Sequence, residues 1–200
     1  MSVGIRNQAM RNYSITAILL FFLSSTLFAD TNREVLLEFE NPASIRNWRA
    51  VNDGVMGGRS VGRCRLTDQN TLEFFGYLSL ENNGGFASIR LPSGDFNLDK
   101  GDSIILKIKG DGRTYNMNLY AQRNLGGFSF RQSFKTSANK LIEVKLPVDQ
   151  FVATWRGRVF PKQKLDPSDV AGLGILLGDK KQGKFSLHIE SISVEHGDEK

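Results

Sequence analysis

Histidine and cysteine, which carry most nucleophilic and metal chemistry, are nearly missing: the chain holds His188, His196 and Cys64 and no others of either type. A histidine-based nucleophile or a histidine metal cluster is thereby disfavoured. One cysteine can form neither an internal disulfide nor a thiolate zinc site. Cys64 shares a strand face with Leu66, opposite Arg63 and Arg65, and is expected to act as a small buried hydrophobe. Paired carboxylates are the remaining catalytic option, with Asp53, Glu81 and Asp111 all at turn ends. A glycoside hydrolase needs two such groups about 5 or about 6.5–9.5 Å apart, a separation that sequence does not supply. Against it, Asp53 in Asn-Asp-Gly and Asp111 in Gly-Asp-Gly are residue types that bond the backbone of their own turns. Asp95, Asn97, Asp99 and Asp102 offer loop oxygens to calcium, but their spacing fits no defined loop, so no metal is expected. Gly57-Gly58-Arg59-Ser60-Val61-Gly62 lacks the Gly-Lys-Ser/Thr ending of a phosphate loop, and no dinucleotide fingerprint is present, so no cofactor is expected either.

Binding groups are better represented than catalytic ones. Arg90, Arg113, Tyr115, Gln122, Trp155, Arg156 and Arg158 are candidates for exposed polar and aromatic groups near loops. Arginine offers a planar fork of donors and tryptophan a large flat face, a pairing that suits a protein surface or a sugar ring. The competing account makes Trp155 a cap on the core and pairs Arg156 with a turn carboxylate. Lys162, Lys164, Lys180, Lys181 and Lys184 read as a solvated basic rim with weak attraction for anionic polymers.

These groups need a frame, and the stretch from Trp48 to Leu91 provides it. Two glycine-rich turns, Asn52-Asp53-Gly54-Val55-Met56-Gly57-Gly58 and Asn82-Asn83-Gly84-Gly85, bracket strand-like runs at 60–66 and 71–80, and a third run follows at 86–91. Gly54, Gly84 and Gly85 are expected to hold backbone angles that a Cβ resists. Asp111 and Gly112 form a further turn. Beyond it, apolar residues alternate at Ile104, Leu106 and Ile108, at Tyr115, Met117 and Leu119, at Phe128, Phe130 and Phe134, and at Ile142, Val144 and Leu146. Gly172 to Leu177 is more uniformly apolar and suits a strand covered on both sides. The last strand changes parity between Ile189 and Ile192, which predicts a bulge near Glu190 and Ser191. About ten strands without a helical period predict an all-β antiparallel sandwich.

Four ordered blocks also carry a resemblance: Asn-Asp-Gly-Val-Met-Gly-Gly-Arg-Ser at 52–60, Leu-Glu-Asn-Asn-Gly-Gly-Phe-Ala-Ser-Ile-Arg at 80–90, Gly110 to Tyr115, and Trp155 to Arg158. Over residues 34–194 the chain resembles the NADH:ubiquinone oxidoreductase complex I intermediate-associated protein family. The resemblance implies a galactose-binding-like jelly roll, an assembly role through protein partners, and no catalytic set.

Residues 1–29 have the layout of a secretory signal, with Arg6 and Arg11 before an apolar run at 15–23 and a cleavage position after Ala29. Nine helical residues rise about 14 Å, short of the roughly 30 Å hydrocarbon core, so a permanent span is the weaker reading. The chain is accordingly expected to be exported, periplasmic or extracellular, or else tethered by an uncleaved leader, with residues 30–200 as one domain. Without the leader the formal charge falls from +5 to +3, mildly basic, and nucleic acid is not an expected partner. The expected function is a non-catalytic module for a protein partner, with an exported carbohydrate-binding module of the cell envelope and a carboxylate glycoside hydrolase as alternatives. Export and the family's role conflict, because the peripheral arm of complex I faces cytoplasm or matrix.

Overall fold

The computed structural model describes residues 1, 32–122 and 127–197; the leader read at 1–29 lies outside the described residues, apart from Met1. Between Arg33 and Glu195 the described residues form thirteen strands. In chain order they are β1 (Arg33–Glu38), β2 (Arg49–Asn52), β3 (Val61–Leu66), β4 (Leu72–Leu78), β5 (Ala87–Leu91), β6 (Ser103–Lys109) and β7 (Thr114–Ala121). Then come β8 (Ser129–Lys135), β9 (Leu141–Pro147), β10 (Val152–Trp155), β11 (Arg158–Val159), β12 (Val170–Leu177) and β13 (Gly183–Glu195). All named strands pair antiparallel in two sheets. One runs β3-β4-β13-β6-β9, with β1 also on β13, and the other runs β11-β10-β8-β7-β12-β5-β2. The all-β antiparallel architecture matches the sequence expectation, with β1, β2 and β11 added. Among the described residues no helix is long and apolar enough to cross a membrane.

The core is built by the period of two. Ile104, Leu106 and Ile108 from the first sheet and Tyr115, Met117 and Leu119 from the second are all fully buried. Each large side chain so buried stabilises the fold by about 1.5–3 kcal/mol before chain entropy is counted. An aromatic seam joins the layers: Phe74 lies 4.8 Å from Phe185 and 6.4 Å from Tyr115, whose ring stacks 6.1 Å from Phe134. The long strand β13 shifts register between Ile189 and Ser191 against β6, and this bulge returns Ile192 and Val194 to the core. Cys64 is half-buried and packs on the core, and burial pushes its thiol up despite the opposing charge of Arg49.

The two glycine-rich turns are joined by a carboxylate. Asp53 is fully buried and accepts from Ser60 N (2.8 Å), Ser60 Oγ (2.6 Å), Gly85 N (2.6 Å) and Phe86 N (3.3 Å). Its bonds thus leave its own turn and cross to another. Burial opposes its ionisation, but the bonds from Ser60, Gly85 and Phe86 outweigh that effect and hold its pKa below the ordinary value. The glycines beside it answer to space as much as to angle. A Cβ on Gly58 would lie 2.4 Å from Asp53 Cγ, and one on Gly84, where φ is −66°, would lie 2.6 Å from Asp53 Oδ2. Gly85 does take a positive φ of 123°, as do Asn82, Asn83, Gly57 and Gly112. Gly54 and Gly84 correct the expectation on angle, since neither has a positive φ: Gly84 is required by space instead, and at Gly54 a Cβ would meet nothing within 4 Å.

Asp53→Asn should therefore lower stability at neutral pH by about 2–3 kcal/mol, because an amide donor would face donors and the charge-assisted bonds would be lost. The folded pKa is depressed, so this contribution is present above the unfolded value of about 3.9 and disappears as pH falls through the folded value. Denaturant melts at pH 7 and pH 3 test both parts: the gap between wild type and variant should shrink in acid. Equal midpoints at pH 7, or a constant gap, would contradict this role. Gly54→Ala should change the midpoint little.

Candidate functional site

On the seven-stranded sheet, residues of the parity opposite to the core form a polar face. Arg131 of β8, Asn118 of β7, Gly174 of β12 and Arg90 of β5 are successive cross-strand neighbours. Asn118, 1% exposed, accepts from Arg131 Nε at 2.9 Å and donates to the Tyr120 hydroxyl at 3.4 Å. The Tyr120 ring lies across Gly174, where a Cβ would come within 3.1 Å of its Cε2 and hydroxyl. Arg90 Cζ sits 5.2 Å from the centre of the same ring. At Gly174 the second side of β12 is thus covered by the Tyr120 ring, and the absent side chain makes room for it.

Above this face lies a cleft of about 620 Å³, with Met56 and residues 83–86 on one wall and Trp155, Arg156 and Gly157 on another. Arg90, Arg131, Arg156 and Lys180 line it, and among the described residues no carboxylate does. Arg156 (φ 48°) and Gly157 (φ 80°) are the two turn residues of the β10–β11 hairpin, closed by Trp155 opposite Arg158. Residues 151–169 thus contain a short hairpin. Trp155 is 43% exposed, which rules out the core-cap account, and the Arg156 guanidinium stacks 4.9 Å over its ring. Burial lowers the pKa of Arg131; Tyr120 opposes this and the like charge of Arg90 adds to it.

Of the residues that sequence singles out for binding, the structure gathers Arg90, Trp155 and Arg156 around this cleft. Arg113 and Tyr115 belong to the framework. Arg113 Nε and Nη2 donate to Asp179 at 3.0 and 2.6 Å, and further donors reach the carbonyls of Lys181, Gly183 and Lys184. The Tyr115 ring is buried and its hydroxyl donates to Asp111 Oδ2 at 3.0 Å; burial, then the Asp111 charge, pushes the phenol far above its ordinary value. Gln122 is exposed and its N–H donates to Asp169 O, while Arg158 is exposed; neither lines the cleft.

Sequence alone does not single out Arg131, Asn118, Asn116 or Tyr120. Their signal is the second parity of strands β7 and β8, together with glycines at every outward position of 172–178 except Leu176. The three candidate carboxylates are engaged elsewhere. Asp53 is saturated, Glu81 pairs with Arg59 at 2.9 Å, and Asp111 also accepts from Ser186 N at 3.0 Å. Asp102 accepts from Asp99 N and Gly197 N and faces His196. Among the described residues no group of three or more His, Cys, Asp or Glu side chains could hold a metal ion.

A family model described as complex I intermediate-associated protein 30 matches residues 37–189. The chain belongs to this family. A mouse relative, "Complex I intermediate-associated protein 30, mitochondrial", is 26% identical over 182 residues, covering 80% of this chain and 55% of its own. The "Probable complex I intermediate-associated protein 30, mitochondrial" of Caenorhabditis elegans is 29% identical over 148 residues, covering 64% and 44%. The chain spans about half the length of these curated relatives. Among solved structures, a family 11 carbohydrate-binding module of Clostridium thermocellum, in complex with a β-1,3-1,4-mixed-linked tetrasaccharide, has a TM-score of 0.58 at 17% identity, covering 84% of this chain and 98% of that one. An agarase matches with a TM-score of 0.57 at 10% identity over 83% of this chain and 25% of its own. At such identities the likeness shows the fold alone, a galactose-binding-like jelly roll.

The mitochondrial relatives overturn the expectation of an exported, periplasmic or extracellular chain, tethered or free. Arg6 and Arg11 without any acid before Asp30 are equally the charge pattern of a mitochondrial transit peptide, so the leader's basic residues did not discriminate.

Arg113→Ala should destabilise by about 3–5 kcal/mol, since it strands Asp179 in a pair whose side chains are 11% and 7% exposed. Trp155→Ala with Arg158→Ala should cost less than about 1.5 kcal/mol, as both residues are exposed and neither belongs to the core. Chemical denaturation of both variants checks the contrast; similar losses would mean that the cleft wall is part of the core.

Proposed function

We propose that this chain is a non-catalytic binding module that acts on complex I assembly intermediates by holding an acidic surface of a protein partner in the cleft above β5, β7, β8 and β12. The observation that carries this reading is the charge of the lining: four cations and no carboxylate among the described residues. A wall of one sign steers and orients a partner of the other sign. Met56 and Trp155, 64% and 43% exposed at the same opening, supply apolar anchors of the kind that dominate protein interfaces. Family membership supports the assembly context. Binding without catalysis is favoured because Asp53, Glu81 and Asp111 are each held by hydrogen bonds or an ion pair and none of the three lines the cleft.

A carbohydrate ligand is the second reading, favoured by the exposed indole of Trp155. It ranks lower because a neutral sugar would leave four positive charges without a counter-charge.

Removing the chain from its native host should leave complex I subassemblies that accumulate on native gels, and returning the wild-type chain should clear them. Arg156→Glu with Lys180→Glu, both exposed positions, should retain the melting temperature yet capture the intermediate at least about tenfold more weakly. Normal complex I in the deletion strain, or full restoration by the double variant, would overturn the proposal.

A further inference from the structure

The chain contains two contrasting arrangements of desolvated arginine. Arg113 is enclosed by a bidentate carboxylate and three carbonyls, so each face of its fork is answered. Arg131, half-buried, has one hydrogen-bond partner among the described residues, the neutral Asn118 side chain at 2.9 Å. Arg90 has a buried Nε with no hydrogen-bond partner and rests on the face of Tyr120. No ion pair reaches either guanidinium among the described residues. Two like charges, partly withdrawn from water on one cross-strand row and lacking a counter-ion, are unfavourable alone and become favourable when one anion meets both.

The row sets the spacing. Arg131 and Arg90 stand three strands apart, about 14 Å between Cα atoms, with Asn118 and Gly174 between them. Gly174 leaves that gap to the Tyr120 ring, whose hydroxyl lies between the two arginines. This hydroxyl accepts from Asn118, and its own proton has no acceptor among the described residues. Two guanidinium forks and one phenolic donor converge on a wall that holds no acid. Guanidinium forks match the paired oxygens of carboxylate and phosphate, and hydrogen bonds to an ionised acceptor are the strong ones.

We infer that Arg90, Arg131 and Tyr120 form a receptor for a single oxyanion, a carboxylate or phosphate group carried by the bound partner. The inference rests on the reading of this cleft as the binding surface, and it names the group that anchors there. Asn118 acts as the positioning residue: its oxygen holds the Arg131 fork and its amide turns the Tyr120 hydroxyl.

The full chain is titrated separately with hexaglutamate and with inorganic phosphate at low salt, reading tryptophan and tyrosine fluorescence and the arginine Nε–H resonances. Saturable binding of at least one probe is expected, and which probe binds more tightly tells a carboxylate from a phosphoryl source. Arg90→Met and Arg131→Met should each weaken it about tenfold or more, and Tyr120→Phe by a smaller factor. Arg131→Lys, which keeps the charge and loses the fork, should fall between wild type and Arg131→Met. Lys162→Met with Lys164→Met, outside the cleft, should leave affinity within about twofold. The probe should raise the melting temperature of the wild type and not of Arg131→Met. No saturable response to either probe, or an equal loss from the distant lysine pair, would overturn the receptor. Probe binding that depends on these arginines, with complex I assembly intact in Arg90→Met and Arg131→Met cells, would overturn the assembly reading and leave the receptor standing.

Discussion

The Asp53 carboxylate is the contact on which the rest of this structure depends. It collects donors from Ser60, Gly85 and Phe86, so the turn before β3 and the turn before β5 become one unit. A buried charge is tolerated only when its hydrogen bonds are met, and any other placement of the two turns would strand it. Specificity follows from that penalty. Gly58 and Gly84 are the corresponding sequence requirement, because a Cβ at either position would occupy the carboxylate's space. The same unit carries Met56 and residues 83–86, one wall of the cleft. Stability and site are therefore coupled through one side chain.

What sequence reveals here follows from how local each signal is. The core of β6, β7 and β9 is legible because alternation is a property of five to eight consecutive residues, and the β13 bulge is legible because it leaves a parity change in Ile189 and Ile192. β1 is hidden by a register shift of its own, between Val35 and Leu37, which erases the alternation. The β10–β11 hairpin is hidden because Arg156, not asparagine or glycine, takes the first left-handed turn position. The site is harder to read than the fold. Arg90 and Arg113 look alike in sequence, and only Asp179, 66 residues beyond Arg113, assigns one to the framework and leaves the other in the cleft. Arg131 and Tyr120 occupy outward strand positions, which normally face water. The pairing order β10-β8-β7-β12-β5, which is non-local, turns those positions into a shared wall.

The glycines of β12 show how a strand can serve two purposes. Leu173, Ile175 and Leu177 fill the core, while Gly172, Gly174 and Gly178 keep the opposite face low. Glycine in a strand interior costs stability, since it adds chain entropy to be lost and no side chain to pack. At Gly174 the vacated space is taken by the Tyr120 ring, which packs where a local side chain would have stood and brings its hydroxyl beside Asn118.

The same distribution holds for charge. Arg113 with Asp179, and Asp53 with its donors, satisfy their buried charges completely, and both lie in the framework. Arg90 and Arg131, both half-buried, have no carboxylate partner among the described residues, and both lie in the cleft. A chain that pairs its buried charges in the framework and leaves half-buried cations without a counter-charge in the cleft concentrates its local violations at one place, which is where natural proteins put function. The jelly roll is shared with carbohydrate-binding modules, but a fold sets only where a concave face can form; the side chains on that face decide what it holds. On this face the charged groups are cations, which match an anion better than a neutral sugar.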